Sequence, residues 1–114
     1  MKLAELEARG GMVDPTLVKK NITWKRRDDD GKEEDVSFDI FIRKNSFGII
    51  DTQLRNQDER SKSALLISNG VRLGEEGEES ISYEQAYRLD ATLAYTMVQA
   101  FMEVNKLGEA APKN

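Results

Sequence analysis

The chain has 114 residues, a formal net charge of −4 at pH 7, and neither cysteine nor histidine. This length predicts one domain with a modest core. Without cysteine there is no disulfide, thiolate metal site or thiol nucleophile, and without histidine the commonest general base and zinc ligand are missing. Residues 1–44 carry ten basic and ten acidic side chains, so the remaining residues hold the whole negative excess. This balance argues against nucleic acid or an anionic membrane as the main partner.

The N-terminal segment, residues 1–17, is predicted to be flexible. Residues 2–9 show a short helical pattern in which Leu3 and Leu6 are three residues apart, and the pair Gly10-Gly11 ends it. So short a helix is marginal in water, so its leucines either dock on another surface or leave the segment frayed. Neither a signal-peptide core nor an apolar run of about 20 residues is present, which predicts a cytoplasmic protein.

Residues 18–44 are predicted to form an antiparallel β-hairpin. A three-residue loop, Asp29-Asp30-Gly31 with Gly31 in the left-handed conformation, brings the apolar residues of both strands to one face. The predicted apolar pairs are Trp24 with Val36, Ile22 with Phe38, and Val18 with Ile42. The predicted charged pairs are Lys25 with Asp35, Arg26 with Glu34, and Arg27 with Glu33. A slip of one residue would lose all of these pairs, so this register is strongly favoured.

Two helices are predicted after the hairpin. Ser46 is predicted to cap a helix that runs to about residue 56, and Asp58 to start a helix that ends near residue 68. The pair Asn69-Gly70 is expected to close the second helix. The side chains expected to point inward are Phe47, Ile50 and Leu54 in the first helix and Ala64, Leu65 and Ile67 in the second.

Three further features concern the sheet and its surroundings. Phe41 lies on the opposite face from the apolar row of its strand and is expected to cover a second surface. Residues 71–73 are predicted to form a short extended piece. Residues 74–79 are predicted to form an acidic turn.

The C-terminal region predicts two capped helices. Ser82 and Gln85 form a capping box for a short helix through Tyr87, and Asp90 offers a second N-cap. An apolar stripe then predicts a helix of about four turns, and its members are Leu93, Met97, Ala100, Phe101, Val104 and Leu107. Gly108 suits the left-handed residue beyond the helix end. The helix needs a partner surface, within the chain or on another molecule, because burying each large side chain is worth about 1.5–3 kcal/mol.

The predicted fold class is therefore α+β, with an N-terminal antiparallel β-hairpin packed against a C-terminal set of α-helices. The single domain spans residues 1–114, with the helical part at residues 46–107 and a tail at residues 108–114. Aromatic and methionine side chains off the principal stripe are typical of a contact surface for another helix. The predicted partner-binding residues are Tyr83, Tyr87, Tyr95 and Met102, although packing within the fold is the alternative for each.

Other sites are less favoured by the sequence. A basic cluster surrounds Trp24, as in proteins that stack bases on an aromatic ring, but acids of the adjacent strand are expected to neutralise it. The glutamates of residues 75–79 and the aspartates of residues 28–30 lack the ligand spacing of a calcium loop. No phosphate-binding loop or nucleophile elbow is present. The sequence therefore predicts no catalysis, cofactor or metal.

Several short motifs occur together in a familiar order. In this order they make the chain resemble the tail assembly chaperones of long-tailed, siphovirus-like bacteriophages and prophages. The resemblance covers most of the chain. The motifs are Ile22-Thr23-Trp24, Phe38-x-Ile40-x-Ile42-Arg43, Ser46-Phe47-Gly48, Asp58-x-x-Ser61-x-x-x-Leu65-x-Ile67-Ser68, Ile81-Ser82-Tyr83-Glu84-Gln85-Ala86, and Ala100-Phe101-x-x-Val104-Asn105.

The resemblance implies a function in phage morphogenesis. A protein of this kind binds the tape-measure protein in the host cell cytoplasm, keeps it soluble, helps to recruit tail-tube subunits and is absent from the finished virion. Several copies line up along one client, which implies self-association, and neither nucleic acid nor a membrane is an expected partner. The alternative is a structural subunit of the tail, such as a tube or completion protein. A small nucleic-acid-binding regulator is a third hypothesis.

The resemblance also implies that a longer product is made by programmed ribosomal frameshifting. Lys113-Asn114 can be encoded by AAA AAC, which would complete a slippery heptamer after an adenine at the end of the Pro112 codon. This hypothesis fails if the codon for Lys113 is AAG.

Overall fold

The computed structural model describes residues 1–14, 16–55 and 60–106. Within these ranges the strands form one antiparallel sheet in the order β1-β2-β3-β4. The elements are α1 (Leu3–Ala8), β1 (Leu17–Arg27), β2 (Glu33–Arg43), α2 (Phe47–Arg55), α3 (Lys62–Gly70), β3 (Val71–Leu73), β4 (Glu79–Ser80), α4 (Tyr83–Tyr87) and α5 (Ala91–Asn105). The predicted α+β class, with an N-terminal hairpin followed by helices, is confirmed.

The hairpin has the predicted register over its whole length. All three predicted apolar pairs and all three predicted charged pairs lie directly opposite each other. Gly31 has φ +81°, the left-handed conformation that a three-residue loop requires. The charged pairs nearest the loop also make contact, Arg26 with Glu34 at 3.3 Å and Arg27 with Glu33 at 3.0 Å. Alternation and loop length therefore determine this part of the fold.

Helix α5 lies across β1 and is attached to it at both ends. The indole Nε1 of Trp24 donates to Oδ1 of Asp90 (3.3 Å), and Asp90 also caps α5 by accepting from the backbone N–H of Leu93 (3.1 Å). Near the other end, Lys20 forms an ion pair with Glu103. The core between the sheet and the helices is apolar, and its most deeply buried side chains are Phe101, Ile40, Ile42, Ile67, Met97 and Val71.

The ring of Phe101 packs directly on the backbone of Gly70, where α3 passes into β3. A Cβ atom at Gly70 would lie 2.3 Å from a carbon of that ring. Helix α3 ends at Gly70, as the pair Asn69-Gly70 predicts, but the glycine does not take the left-handed conformation and the chain continues straight into Val71. The glycine is needed here for the close approach of the aromatic ring, not for a turn.

The predicted faces and starts of the two central helices need correction. Phe47, expected to point inward from α2, is 80% exposed, and the polar Gln53 is buried instead. The buried side of α2 is therefore rotated away from Phe47 and toward Gln53. Helix α3 starts later than predicted: Ser61 is its N-cap, and its hydroxyl accepts from the backbone N–H of Ala64 (3.1 Å).

Some predictions for these helices fall where no structure is described. Asp58, the predicted start of α3, and residue 56, the predicted end of α2, lie outside the described residues, as does the side chain of Leu54. Ile50, also expected to point inward, is half-buried. In α3 the residues expected to point inward are buried, and Leu66 is buried as well.

The two C-terminal helices begin as predicted. The Ser82 hydroxyl accepts from the backbone N–H of Gln85 (3.1 Å), and Oε1 of Gln85 accepts from the backbone N–H of Ser82 (2.9 Å). Helix α5 ends earlier than expected, because Lys106 takes the left-handed conformation with φ +55°. The residues predicted to end the helix, Leu107 and Gly108, lie outside the described residues.

The turn after β3 is ordered by hydrogen bonds to the Glu78 carboxylate and covers Phe41. The Glu78 carboxylate accepts from the backbone N–H groups of Glu75 (3.0 Å) and Glu76 (2.8 Å). Gly77 has φ +82° and packs so closely on Phe41 that a Cβ there would lie 3.0 Å from the Cβ of Phe41. Phe41 is buried on the second face of the sheet, as expected. The two-residue strand β4, which leaves this turn, is absent from the sequence prediction.

We expect Gly70→Ala to destabilise the protein because the new methyl group would collide with Phe101. The free energy of unfolding should fall by about 1–3 kcal/mol, as for other overpacked sites. Gly48→Ala is the matched control, since a Cβ at Gly48 meets nothing within 4 Å and alanine favours helix by up to about 1 kcal/mol. Urea denaturation of both variants tests this, and equal effects would contradict the packing role of Gly70.

The turn predicts a pH-dependent contribution to stability from Glu78. Backbone N–H bonds to its carboxylate, those from Glu76 first, hold the pKa of Glu78 below its ordinary value. A carboxyl group with a lowered folded-state pKa stabilises the fold above its unfolded pKa and loses this effect as pH falls through the folded pKa. Glu78→Gln should therefore be less stable than the parent at neutral pH, and the difference should shrink as the pH falls through the folded-state pKa of Glu78. A difference that is constant with pH would contradict this.

Candidate partner-binding groove

Helices α3, α4 and α5 enclose an open groove of about 270 Å³ on the surface. Ala64 and Ala86 are buried and form its floor with the half-buried Ala94, whereas Tyr87 and Tyr95 are 66% and 72% exposed and form its rims. The residues lining the groove are Ser61, Ser63, Ala64, Ala86, Tyr87, Leu89, Ala91, Ala94, Tyr95 and Val98. A floor of small side chains between two aromatic rims can admit the side of another helix.

The local sequence explains why both tyrosines reach this groove. The capping box at Ser82 sets the start of α4, so Ala86 faces the core and the next residue, Tyr87, faces outward. Asp90 then restarts the helix, and the groove residues of α5 recur at helical spacing as Ala91, Ala94, Tyr95 and Val98. They lie beside the buried stripe, so the stripe packs on the core and this second row stays accessible.

Tyr83 lies behind the groove instead of lining it. Its hydroxyl accepts a hydrogen bond from the backbone N–H of Ser61 (2.9 Å), which joins α4 to the start of α3. The rings of Tyr83 and Tyr87 are tilted by 33°, with centroids 6.0 Å apart. Tyr83 is half-buried, and its ring is the neighbour of the exposed Tyr87 ring.

Met102 lies about two helical turns beyond Tyr95 on the same side of α5. It is half-buried against the edge of the core and does not line the groove. The structure thus brings Tyr87 and Tyr95 together in one groove, places Tyr83 behind it and places Met102 further along α5. Leu89 and Val98 also line the groove and were not predicted from the sequence. Ala91 and Ala94, three residues apart in α5, were the available signal for a close approach.

The basic cluster around Trp24 is occupied by contacts within the fold. Lys19 pairs with Asp39 (3.5 Å), Lys20 pairs with Glu103, and the two arginines pair across the hairpin. Trp24 donates its indole N–H to Asp90. Four of the five basic side chains are therefore already neutralised by acids.

The described carboxyl groups with a shifted pKa are all held ionised at the surface. The Thr16 hydroxyl lowers the pKa of Asp14, and the Asn21 amide lowers the pKa of Asp39. A lowered pKa keeps a carboxylate from taking up a proton near neutral pH. Over residues 1–14, 16–55 and 60–106, no three acidic side chains come together in a way that could hold a metal ion.

In the described part of the chain, every helix is too short or too polar to span a lipid bilayer.

The fold and the groove define a small α+β protein with an open groove between three helices and two exposed tyrosines at its edges. The chain belongs to a family described as "Phage tail assembly chaperone, TAC", whose model matches residues 4–105. This match confirms the resemblance found in the motifs. Comparison with curated proteins and with solved structures gives no match.

We expect Tyr83→Phe to weaken the fold because the backbone N–H of Ser61 loses its acceptor. The free energy of unfolding should fall by about 0.5–1.5 kcal/mol, the usual contribution of one hydrogen bond. Tyr95→Phe is the matched control, since the exposed hydroxyl of Tyr95 has no hydrogen-bond partner among the described residues. Chemical denaturation of both variants tests this, and a control as unstable as Tyr83→Phe would disprove the assigned role.

Proposed function

We propose that this protein binds the tape-measure protein of a phage tail, keeps it soluble and helps to recruit tail-tube subunits. It acts in the host cell cytoplasm and is absent from the mature virion. The work requires binding and release, without catalysis or a cofactor. Membership of the chaperone family supports a role in tail assembly. The observation that carries the binding proposal is the open groove between the exposed rings of Tyr87 and Tyr95.

The groove has the chemistry that an amphipathic helix needs. Its small floor residues, such as Ala64 and Ala94, let a helix approach closely. Each tyrosine can cover a large apolar area while its hydroxyl stays in water. A tape-measure protein is a long helical chain whose apolar faces lack partners until the tube encloses them. Such a client would be bound helix against helix.

Weak contacts made by many copies suit this role. The groove is shallow, and the described residues offer no deep pocket there, so each single contact is expected to be weak and easily reversed. Copies that also contact one another bind a long client with much greater avidity than one copy alone. Tail-tube subunits can then displace them one after another.

The four predicted residues take different parts in the proposed site. Tyr87 and Tyr95 would contact the client directly. Tyr83 would position Tyr87 through its ring contact and its hydrogen bond to Ser61. Met102 would extend the contact along the same side of α5.

The alternative function is that of a structural tail subunit, either a tube or a completion protein. It would assemble through sheet edges, and the outer edge of β1 offers an 11-residue strand that pairs only with β2 in the described chain. This strand carries Lys19, Lys20, Lys25, Arg26 and Arg27. Pairing of two such edges would bring like charges together, and lysines on an edge strand discourage it. The presence of the protein in purified particles would favour the alternative.

We expect Tyr95→Asp to lose capture of the client, because the new carboxylate would be buried against an apolar helix. The measurement is affinity capture after co-expression with the neighbouring tape-measure gene product, with recovery of soluble client as the readout. Thr92→Asp is the matched control, since it adds the same charge to an exposed position of α5 outside the groove. Far-UV circular dichroism checks that both variants fold. Undiminished capture by Tyr95→Asp would show that the client binds elsewhere.

The frameshift remains part of this proposal. Lys113 and Asn114 lie outside the described residues, so the gene sequence is the test. The codons AAA AAC after an adenine would support it.

A further inference from the structure

The outer side of β1 forms a second surface, separate from the tyrosine groove. The strand has 11 residues, and within the described chain it pairs only with β2, so its other side has no partner strand. Helix α5 contacts one face of β1, through the bond from Trp24 to Asp90. We refer to the unpaired side of β1, from Lys19 to Arg27, as the β1 edge. An unpaired strand edge is a template for one more strand.

The hairpin shows which residues offer their backbone groups to the β1 edge. The backbone N–H of Asp28 donates to the carbonyl of Lys32 (3.0 Å), inside the hairpin. Along a strand, the N–H and C=O groups of successive residues point alternately to the two sides. The odd-numbered residues of β1 therefore direct these groups away from β2. From residue 19 onward they are Lys19, Asn21, Thr23, Lys25 and Arg27.

These five residues also give the β1 edge a positive charge. Their side chains share the exposed face of the sheet, and three of the five are basic. Lys19 pairs with Asp39 and Arg27 pairs with Glu33, yet the two basic side chains remain 62% and 70% exposed. Lys25 makes no ion pair with any described residue. Because ammonium and guanidinium groups have several N–H donors, each of the three can bind a further carboxylate.

The charge determines which strand the β1 edge can accept. The same edge of a second copy would bring like charges opposite each other, which is destabilising. Strand β2 pairs with β3 only at Phe41 and Ile42, so the rest of its outer edge is free and acidic. Its Glu33 and Asp39 are already engaged within their own hairpin, however. A foreign extended segment with free carboxylates at alternate positions is the better complement, because it would satisfy the backbone groups and the basic side chains together.

We propose that the β1 edge binds an extended acidic segment of another protein, which joins the sheet as a further strand. The outward backbone groups would supply affinity, and carboxylates opposite Lys25 and Arg27 would supply selectivity. This goes beyond the proposed function, because it gives the protein a second contact surface besides the tyrosine groove. It does not depend on what the groove binds.

Nuclear magnetic resonance of the isotope-labelled, full-length chain tests the proposal with synthetic peptides of 11 residues, the length of β1. The first peptide alternates threonine with glutamate, and the second has lysine in place of each glutamate. The third repeats the first with N-methylated glutamates, so it keeps the charge but cannot pair through these residues. The glutamate peptide should slow the exchange of the outward amide protons of β1 with solvent. The other two peptides should bind about fivefold more weakly or worse.

Two variants of the chain separate backbone pairing from charge. Thr23→Pro removes an outward N–H and spares the bonds to β2, since proline is tolerated on an edge strand when its nitrogen faces solvent. Lys25→Glu reverses the charge of the unpaired lysine. Each should weaken binding of the glutamate peptide by about fivefold or more. Lys44→Glu is the matched control, since Lys44 is exposed and lies beyond the end of β2, and it should bind like the parent. The amide spectrum shows whether each variant is folded.

Slowed exchange at the β1 edge with the glutamate peptide, weakened in Lys25→Glu, would support the proposal. Equal binding of the N-methylated peptide would show charge attraction without strand addition, and equal binding of the lysine peptide would show no selection for acids; either result would overturn the proposal. Slow exchange that appears without peptide and grows with protein concentration would assign the edge to a second copy and overturn it as well. Tyr95→Asp should bind the glutamate peptide like the parent, so its loss of client capture concerns the groove alone.

Discussion

The contact of Phe101 with Gly70 is the constraint on which the helical part of the molecule depends. Phe101 is fully buried, and its ring occupies the space that a side chain at position 70 would fill. Gly70 joins α3 to β3, and β3 pairs with the hairpin strand β2, while Phe101 belongs to the helix that crosses β1. One ring therefore joins α3, α5 and the sheet. The groove lies between α3, α4 and α5, and this contact joins two of these helices although neither residue lines the groove.

The amide side chains of Asn105 and Gln53 differ in their hydrogen bonding: the first is fully used and the second makes no hydrogen bond. Asn105 accepts from the backbone N–H of Asn45 (2.9 Å) and donates to the carbonyls of Arg43 and Phe101, which anchors the end of α5 to the corner after β2. The amide of Gln53 makes none of the bonds it could make. An unsatisfied buried polar group costs about 1–3 kcal/mol. For a domain of marginal stability this is a substantial loss.

The features predicted best from the sequence are those that depend on residues only a few positions apart. The hairpin register follows from alternation and from the loop ending at Gly31, and the helix starts follow from Ser82 and Asp90, because each depends on neighbours a few residues away. The orientation of α2 depends on how the whole helix packs, so Phe47 was wrongly placed inside. The groove could be predicted only in part: tyrosines off the main stripe suggested a surface, but its floor combines alanines from three helices, which only the tertiary fold brings together.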